Sequence, residues 1–532
     1  MDSEQLVQQF KEKQQERVIL EPYWKDAYDV TYPQKGQRFL SGGSDGYSEA
    51  ISAKDDNAEI YDSLPRVAVR TLRASIHAAL TPANTQWLGF NVPGVNQQDV
   101  PDEVKIYLNN AAKTIHTLVH SSNYDSINPE GLEDLVISGQ YVLYVEKEFQ
   151  GPYRFQLWNF DQCYFEDRSG DGTIDTIYRQ VRLTAHQAQT RFGNKTPEHI
   201  KEILKDGHRN GEKHTFIHCI YPKEGDSPRG VYAEDMAYRS VYVCAKSMDI
   251  VSDSGYHEQP FVVPRWKLLP DTEYATGPLT DALPDIKTLF RIREMTLSSM
   301  EMNLGGIFVA PHRGMMTGKN FQLRTNVINY VTDPDKVKKL NSNVQFNEAL
   351  ALIAGLQQSI RDALMVGDLS PMEKDYATAT EVVDRSQTLR MRLGPLYSRL
   401  QSEFLHPLVT RLWGLAFRDQ TLGQPPEWLA NIAIVPEYFS PLARAQRMEE
   451  VAAIEQFEAH LGQLQAMNMI VADEVYDTQS ALQISAAARG VPPNLLRSKQ
   501  QTAQIQAKKA QMAALASAGS PSGNPTSLPE VA

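Results

Sequence analysis

The sequence predicts an α+β chain that is mostly helical, and three observations carry that prediction. Apolar residues at helical spacing dominate both ends of the chain, while Gly139 to Leu268 alternates in the manner of strands. Directly after this β-rich part comes Gly277 to Leu304, a helix whose pattern is not that of an ordinary core helix.

In chain order, residues 1–80 read as helix around a Gly/Ser/Asp-rich interruption at Leu40–Asp56. Val69, Leu72, Ile76 and Leu80 mark the helix from Asp62 to Leu80. Pro82, Pro93 and Pro101 punctuate a turn-rich passage before helices at Asp102–His120 and Ile127–Ser138. The strand candidates are YVLYVEKE, YRFQLWNF, TIDTIYRQVRL, HTFIHCIYP, VYAEDMAYRSVYV and FVVPRWKLL, with a helical insert at Ala185–Lys205.

In Gly277–Leu304, Lys287, Arg291, Glu294, Ser298 and Glu301 recur every three or four residues and so share one face. Ile286, Leu289, Phe290, Ile292, Met295, Leu297, Met300 and Leu304 cover most of the rest. A narrow wet stripe on a greasy helix fits a surface helix, or a wall between neighbouring chains and a water-filled space. A Gly/Pro/Asn-rich, β-like stretch (Gly305–Asn343) leads to a second helix at Phe346–Met365, striped by Phe346, Leu350, Ile353, Leu356, Ile360 and Leu364. The loop VGDLSPMEKDYA precedes a long helical region from Thr380 to Arg418, for which Thr378 and Glu381 form a candidate capping box. Pro395 and Pro407 should kink it. Leu400, Phe404, Leu408, Leu412 and Leu415 continue an apolar stripe through the second kink. Helices at Pro441–Met469, Asp473–Ala488 and Asn494–Leu515 precede a low-complexity tail with the composition of a disordered segment.

The length of 532 residues is enough for about three or four domain-sized units. A net charge of −12 argues against free, sequence-specific DNA binding, which draws its affinity from clustered Lys and Arg displacing counterions. Contact with nucleic acid that must slide without sticking is still allowed. Cys163, Cys219 and Cys244 form no CxxC pair and read as reduced thiols. The polar start MDSEQLVQQFKEKQQERVIL is not a signal peptide, and no apolar run reaches the roughly 18–20 residues that span a bilayer. A soluble protein made in the cytoplasm is expected.

No catalytic constellation is found. GMMTGKN at Gly314–Asn320 has three residues between its glycines where a phosphate loop needs four, and Asn320 replaces the magnesium-binding Ser or Thr. DRSGDGTIDTIY at Asp167–Tyr178 resembles a calcium loop but ends in Tyr178 where a bidentate Glu is required; a hairpin turn at Asp171–Gly172 explains it better. The twelve histidines form no HExxH, and there is no GxSxG elbow. No cofactor or metal is implied. One charge bias remains. Arg313, Lys319, Arg324, Lys336, Lys338 and Lys339 face only Asp333 and Asp335 between the two striped helices, forming either a solvated loop or a basic rim for an acidic partner or passing phosphate.

Three segments in order, GPLTDALPDIKTL at Gly277–Leu289, ATATEVVDR at Ala377–Arg385 and LGPLYSRLQSEFLHPLVTRLW at Leu393–Trp413, carry a family resemblance. SLPRVAVRTLRASIHAALTPANTQWLGF at Ser63–Phe90 and GVPPNLLRSKQQTAQI at Gly490–Ile505 extend it. The chain resembles the portal, or head-to-tail connector, proteins of short-tailed bacteriophages over nearly its whole length. That resemblance implies a non-enzymatic ring, typically of twelve subunits, at one capsid vertex of the virion, through which double-stranded viral DNA is packaged, retained and ejected. It implies an α/β wing (1–276), a two-helix stem (277–304 and 346–365), a small β-containing clip (305–345) and a channel loop (366–376). A kinked wing helix with its connection (377–440), a helical crown (441–515) and a disordered tail (516–532) complete it. Lys287, Arg291, Glu294, Ser298 and Glu301 then face the channel or a neighbouring subunit, with Lys374, Asp375 and Tyr376 on the loop tip. The basic clip would dock the terminase motor and later the tail adaptor proteins; major capsid and scaffolding proteins are further partners, and no membrane is involved. Twelve copies at −12 make about −144, so such a ring repels DNA overall, which suits a conduit. A packaging nuclease or motor subunit would need a phosphate loop or metal-binding carboxylates. A tail adaptor or internal virion protein would lack paired helices bracketing a clip.

Overall fold

The computed structural model describes residues 2–36, 39, 60–95, 100–148, 153–206, 211–223, 236–305, 307–309, 338–340, 346–366, 394, 396–429, 432, 434–438, 441–466 and the scattered positions 476, 481–482, 485–486 and 508. In chain order the elements are α1 (Ser3–Val18), α2 (Glu21–Asp29), the single turn α3 (Pro33–Gly36), α4 (Leu64–Leu80), β1 (Leu88–Asn91), α5 (Asp102–His120) and α6 (Tyr124–Ser138). Then follow β2 (Val142–Glu146), β3 (Arg154–Trp158), β4 (Cys163–Glu166), β5 (Thr176–Thr184), α7 (Ala185–Phe192), α8 (Glu198–Asp206), β6 (Lys213–Pro222), β7 (Tyr238–Cys244) and β8 (Ile250–Tyr256). Short pairs β9 (Phe261–Val262), β10 (Lys267–Leu268) and β11 (Ala275–Thr276) lead to α9 (Pro278–Gly305). The rest comprises β12 (Ile307–Val309), β13 (Lys338–Leu340), α10 (Phe346–Ala363), α11 (His406–Arg418), β14 (Val435–Tyr438) and α12 (Pro441–Ala466). The chain divides into two compact units, Met1–Ala78 with Val119–Leu415, and Ala79–Leu118 with Ala416–Ala532.

The larger unit is built on an antiparallel meander, β4-β5-β6-β7-β8. Period-two alternation gives each strand two useful faces. Tyr164, Tyr178, Ile217, Cys219, Val241 and Val243 bury one face under Leu6, Val7 and Phe10 of α1. Phe216, Tyr242, Cys244 and Val251 bury the other under Ala185, Ala188 and Phe192 of α7 and Ile200 of α8. Each large side chain so buried contributes about 1.5–3 kcal/mol. The α7 helix starts where β5 ends because Thr184 Oγ1 accepts from Gln187 N at 3.3 Å and Gln187 Oε1 from Thr184 N at 3.0 Å, a reciprocal cap. A smaller sheet, β3-β2-β9, is also antiparallel. All three cysteines are buried and free, and burial pushes the Cys163 thiol up to about 12, which leaves it an unreactive, protonated core group.

Arg17, at 2 % exposure, ties the first helices to this sheet. It donates to Glu21 Oε1 at 2.8 Å and to the carbonyls of Phe160 (3.2 Å), Asp161 (2.6 Å) and Cys163 (2.7 Å). Its guanidinium lies 3.9 Å from the centre of the Tyr164 ring.

The helix ending at Arg418 is irregular where Pro407 predicts a kink. A π turn, Gln401–Leu405, closes with His406 N bonding to Gln401 O, and α11 begins beside it. Leu400, Phe404, Leu408, Leu412 and Leu415 are all buried, as their spacing predicts. Glu403 on the π turn accepts from the backbone N of Arg265 at 3.0 Å and from its Nη2 at 2.8 Å, and Arg411 Nη1 pairs with Glu258 at 3.1 Å. Pro395 and the candidate cap at Thr378 and Glu381 lie outside the described residues.

In the smaller unit, β1 pairs antiparallel with β14, Leu88 opposite Tyr438. Val104, Leu108, Ala111, Ala112 and Ile115 bury one face of α5. The passage around Pro82–Pro101 is therefore not turns alone, because Leu88–Asn91 finds its partner strand far along the chain. Three further strands are absent from the sequence prediction: β4, four residues long, the two-residue β11, and β8, whose sequence IVSDSGY is polar because it lies at an edge of the meander.

Two outcomes are expected. Arg17→Ala leaves Glu21 and three backbone carbonyls without their donor, so urea unfolding should shift by about 3–5 kcal/mol; an unchanged midpoint would show that Arg17 is not holding α1. Gly277→Ala places a Cβ 2.4 Å from Val136 O and 2.9 Å from Ile137 O, so a loss of about 1–3 kcal/mol is expected in the same assay.

Candidate functional site

The striped helix predicted at Gly277–Leu304 is α9, and its root is fixed by close backbone packing. Helix α6 ends at Gly139, whose φ of +91° closes the last turn as its N–H bonds to Leu135 O at 3.0 Å. A Cβ on Gly139 would meet the Thr276 backbone at 2.3 Å, and one on Gly277 would meet Val136 O at 2.4 Å. The chain entering α9 thus lies directly on the last turn of α6, which only glycine at both points permits. Trp24 supports the same root, donating from Nε1 to Ala275 O at 3.3 Å.

Burial along α9 is uneven. Leu279, Ala282, Leu283, Ile286, Leu289 and Phe290 are buried, yet Met295 and Leu297 are 57 % and 53 % exposed. Its partner α10 mirrors this: Ile353, Ile360 and Leu364 are buried, while Leu350 and Leu352 nearer its start are 49 % and 54 % exposed. The two helices pack on one another. Ser359 Oγ donates to Asp285 at 2.6 Å. Asp62 clamps both, accepting from Gln357 Nε2 at 2.8 Å and pairing with Arg293 Nη2 at 3.2 Å. Between the helices, β12 pairs antiparallel with β13, Ile307 opposite Leu340.

The polar stripe is on the surface. Lys287, Arg291, Ser298 and Glu301 are exposed and Glu294 is partly so. Lys287 pairs with Asp26 of α2 at 2.7 Å, and Arg291 with Glu294 at 3.0 Å. Of the basic excursion, Lys338 and Lys339 belong to β13, opposite Val309 and Phe308. Arg313, Lys319, Arg324 and Lys336 lie outside the described residues, as do Lys374, Asp375, Tyr376 and the loop GMMTGKN. The Asp167–Tyr178 loop is the hairpin connection of β4 and β5. Asp167 accepts from Gly170 N and Gly172 N, each at 2.7 Å, and Asp175 from Arg168 N and Ser169 N, so these carboxylates cap their own loop. Among the described residues no helix is long and apolar enough to cross a membrane.

Asp62 and Asp26 carry the site's hydrogen bonds yet have no signature in the sequence. Asp62 reads there only as a helix-start residue, a role its other oxygen does fill by accepting from Leu64 N at 2.9 Å.

Comparison with known proteins places the chain in a family. The chain is 25 % identical to the portal protein of Salmonella phage epsilon15, over 97 % of this chain and 93 % of that protein. It is 24 % identical to the probable portal protein of Bordetella phage BPP-1, over 93 % of this chain and 89 % of that one. A solved chain from the neck of an empty GTA particle aligns with 78 % of this chain and 91 % of its own at 10 % identity and a TM-score of 0.32, too low to bear on the fold. The model of the family described as bacteriophage head to tail connecting protein matches residues 3–496, and the chain belongs to that family.

Proposed function

We propose that this portal protein closes into a ring, of twelve copies by family habit, whose axis carries double-stranded viral DNA through one capsid vertex during packaging, retention and ejection. The observation that carries the reading is the helix pair α9/α10, rooted at one end and exposing Met295, Leu297, Leu350 and Leu352 at the other. Exposed apolar residues clustered on paired helices mark a surface that another protein covers, and in a ring that protein is the next copy. In this reading residues 277–304 and 346–365 are the stem, 305–345 the clip, 366–376 the channel loop, 377–440 the kinked wing helix and its connection, and 441–515 the crown. The protein works by shape and charge, without catalysis. The clip residues Arg313, Lys319, Arg324, Lys336, Lys338 and Lys339 dock the terminase motor and then the tail adaptors, and the wing and crown meet capsid and scaffolding proteins. Lys287, Arg291, Glu294, Ser298 and Glu301, with Lys374, Asp375 and Tyr376 on the loop, are the candidates for the channel lining.

Negative-stain images of the purified chain should show rings with a central hole; protein that stays monomeric at high concentration would sink the reading. Leu297→Asp with Leu352→Asp should abolish rings while leaving each subunit folded, since exposed positions tolerate change within about 0.5 kcal/mol. Lys287→Glu with Arg291→Glu should lower the DNA retained per particle, with Asp26→Asn as the control for loss of the Lys287 pair. Full packaging by intact mutant rings would remove both residues from the channel.

A further inference from the structure

One row of the five-stranded sheet is chemically unlike the rest. Strand register places Cys163, Arg179, His218 and Tyr242 side by side across β4, β5, β6 and β7, on the face that is otherwise apolar under α7 and α8. His218 is fully buried, stacks on Tyr242 at 3.9 Å and bonds through Nε2 to Ser240 Oγ at 2.9 Å. Trp158 of β3 covers the row, edge-on to His218 at 5.5 Å, with the Arg179 guanidinium 4.4 Å from its ring centre. From α7, Arg191 lies 4.7 Å from the centre of the Tyr242 ring and donates to its hydroxyl.

Two features of this row occur together. First, among the described residues neither Arg179 nor Arg191 has a carboxylate partner, whereas the buried Arg17, Arg265 and Arg411 each have one. The nearby carboxylate, Glu146, accepts from Gln156 at 2.7 Å and lies 3.9 Å from Arg154. Second, three buried nitrogens in the row have no hydrogen-bond partner: Trp158 Nε1, Arg179 Nε and His218 Nδ1. Burial and the two guanidiniums hold His218 well below its usual pKa, so it is neutral and the row's positive charge comes from the arginines. Buried donors in a native protein are satisfied, and two guanidiniums with no carboxylate partner beside them favour an anion as the group that satisfies them.

We propose that this row binds a small oxyanion, a phosphate or a carboxylate, with Arg179 and Arg191 supplying the charge and Trp158 Nε1 a neutral donor. Arg191 is exposed and Arg179 only partly buried, so the ligand reaches the row from the α7 side.

Trp158 makes the site observable. Sodium phosphate and sodium acetate, titrated separately into the full-length protein at constant ionic strength, should be followed by tryptophan emission. The expected result is a saturable change with at least one of the two, absent in Trp158→Phe, and at least tenfold weaker in Arg191→Gln and in Arg179→Gln. The anion that saturates identifies the group. Because Arg179→Gln changes a partly buried residue of the sheet, the same anion should also raise the unfolding temperature of the wild type but not of the surface variant Arg191→Gln. No saturation with either anion, or equal saturation in both arginine variants, would overturn the assignment.

Discussion

Helix α9 is fixed firmly at one end, and the rest of the arrangement follows from that constraint. Its entry segment lies against the last turn of α6 so closely that Gly139 and Gly277 leave no room for a Cβ. Its first turns then bury Leu279, Ala282, Leu283, Ile286, Leu289 and Phe290. Past Phe290 the same helix continues with apolar residues and too few of the described residues to cover them. Each large side chain left exposed forgoes about 1.5–3 kcal/mol of burial. A helix that keeps Met295 and Leu297 in water while its root is tightly packed fits the proposed ring, in which the next copy would cover its second half.

The larger unit needs rigidity for that root to be useful, and buried guanidiniums supply it. Arg17 joins α1 and α2 to the turn before β4. Arg265 holds Glu403 on the π turn, and Arg411 joins α11 to Glu258. Apolar groups of equal volume would match such pairs in stability, since desolvation offsets most of the Coulomb gain. They would not match them in geometry. A guanidinium with several fixed donors accepts one arrangement of its acceptors, so each fork fixes the position of a helix against the sheet. The same logic marks Arg179 as different, for it is partly buried on the sheet without a carboxylate to accept from it.

How much of this was readable beforehand depended on how local each signal was. The stripe at Leu400, Phe404, Leu408 and Leu412 repeats every four residues, which drifts around an α-helix of 3.6 residues per turn. The wider π turn at Gln401–Leu405 takes up part of that drift, so the stripe was legible while the backbone change keeping it buried was not. Strands β5 and β6 showed in their β-branched alternation. The β1–β14 pair did not, because four-residue strands that meet across most of the chain leave no local pattern. In the site, the exposed face of α9 was plain from spacing. The partners Asp26 and Asp62 were not, being 261 and 231 residues from Lys287 and Arg293.

Those two aspartates bear on how a DNA conduit would work. A lumen must present cations close enough to guide phosphate yet not hold it, since affinity gained by displacing counterions would stall movement. Lys287 and Arg291 are exposed and already paired, with Asp26 and Glu294. Exposed pairs of this kind are worth only about 0–1 kcal/mol, so in the proposed channel either cation would exchange its carboxylate for a passing phosphate at nearly no net change in free energy. Arg293 differs, because Asp62 is largely buried and also holds Gln357, so its pairing serves the helix packing and is not available for exchange. With a chain charge of −12 behind them, exchangeable cations on an acidic scaffold would give the proposed channel contacts that form and release readily. The division between an exchangeable outer pair set and a fixed inner one is what separates the wet stripe of α9 from its packed face.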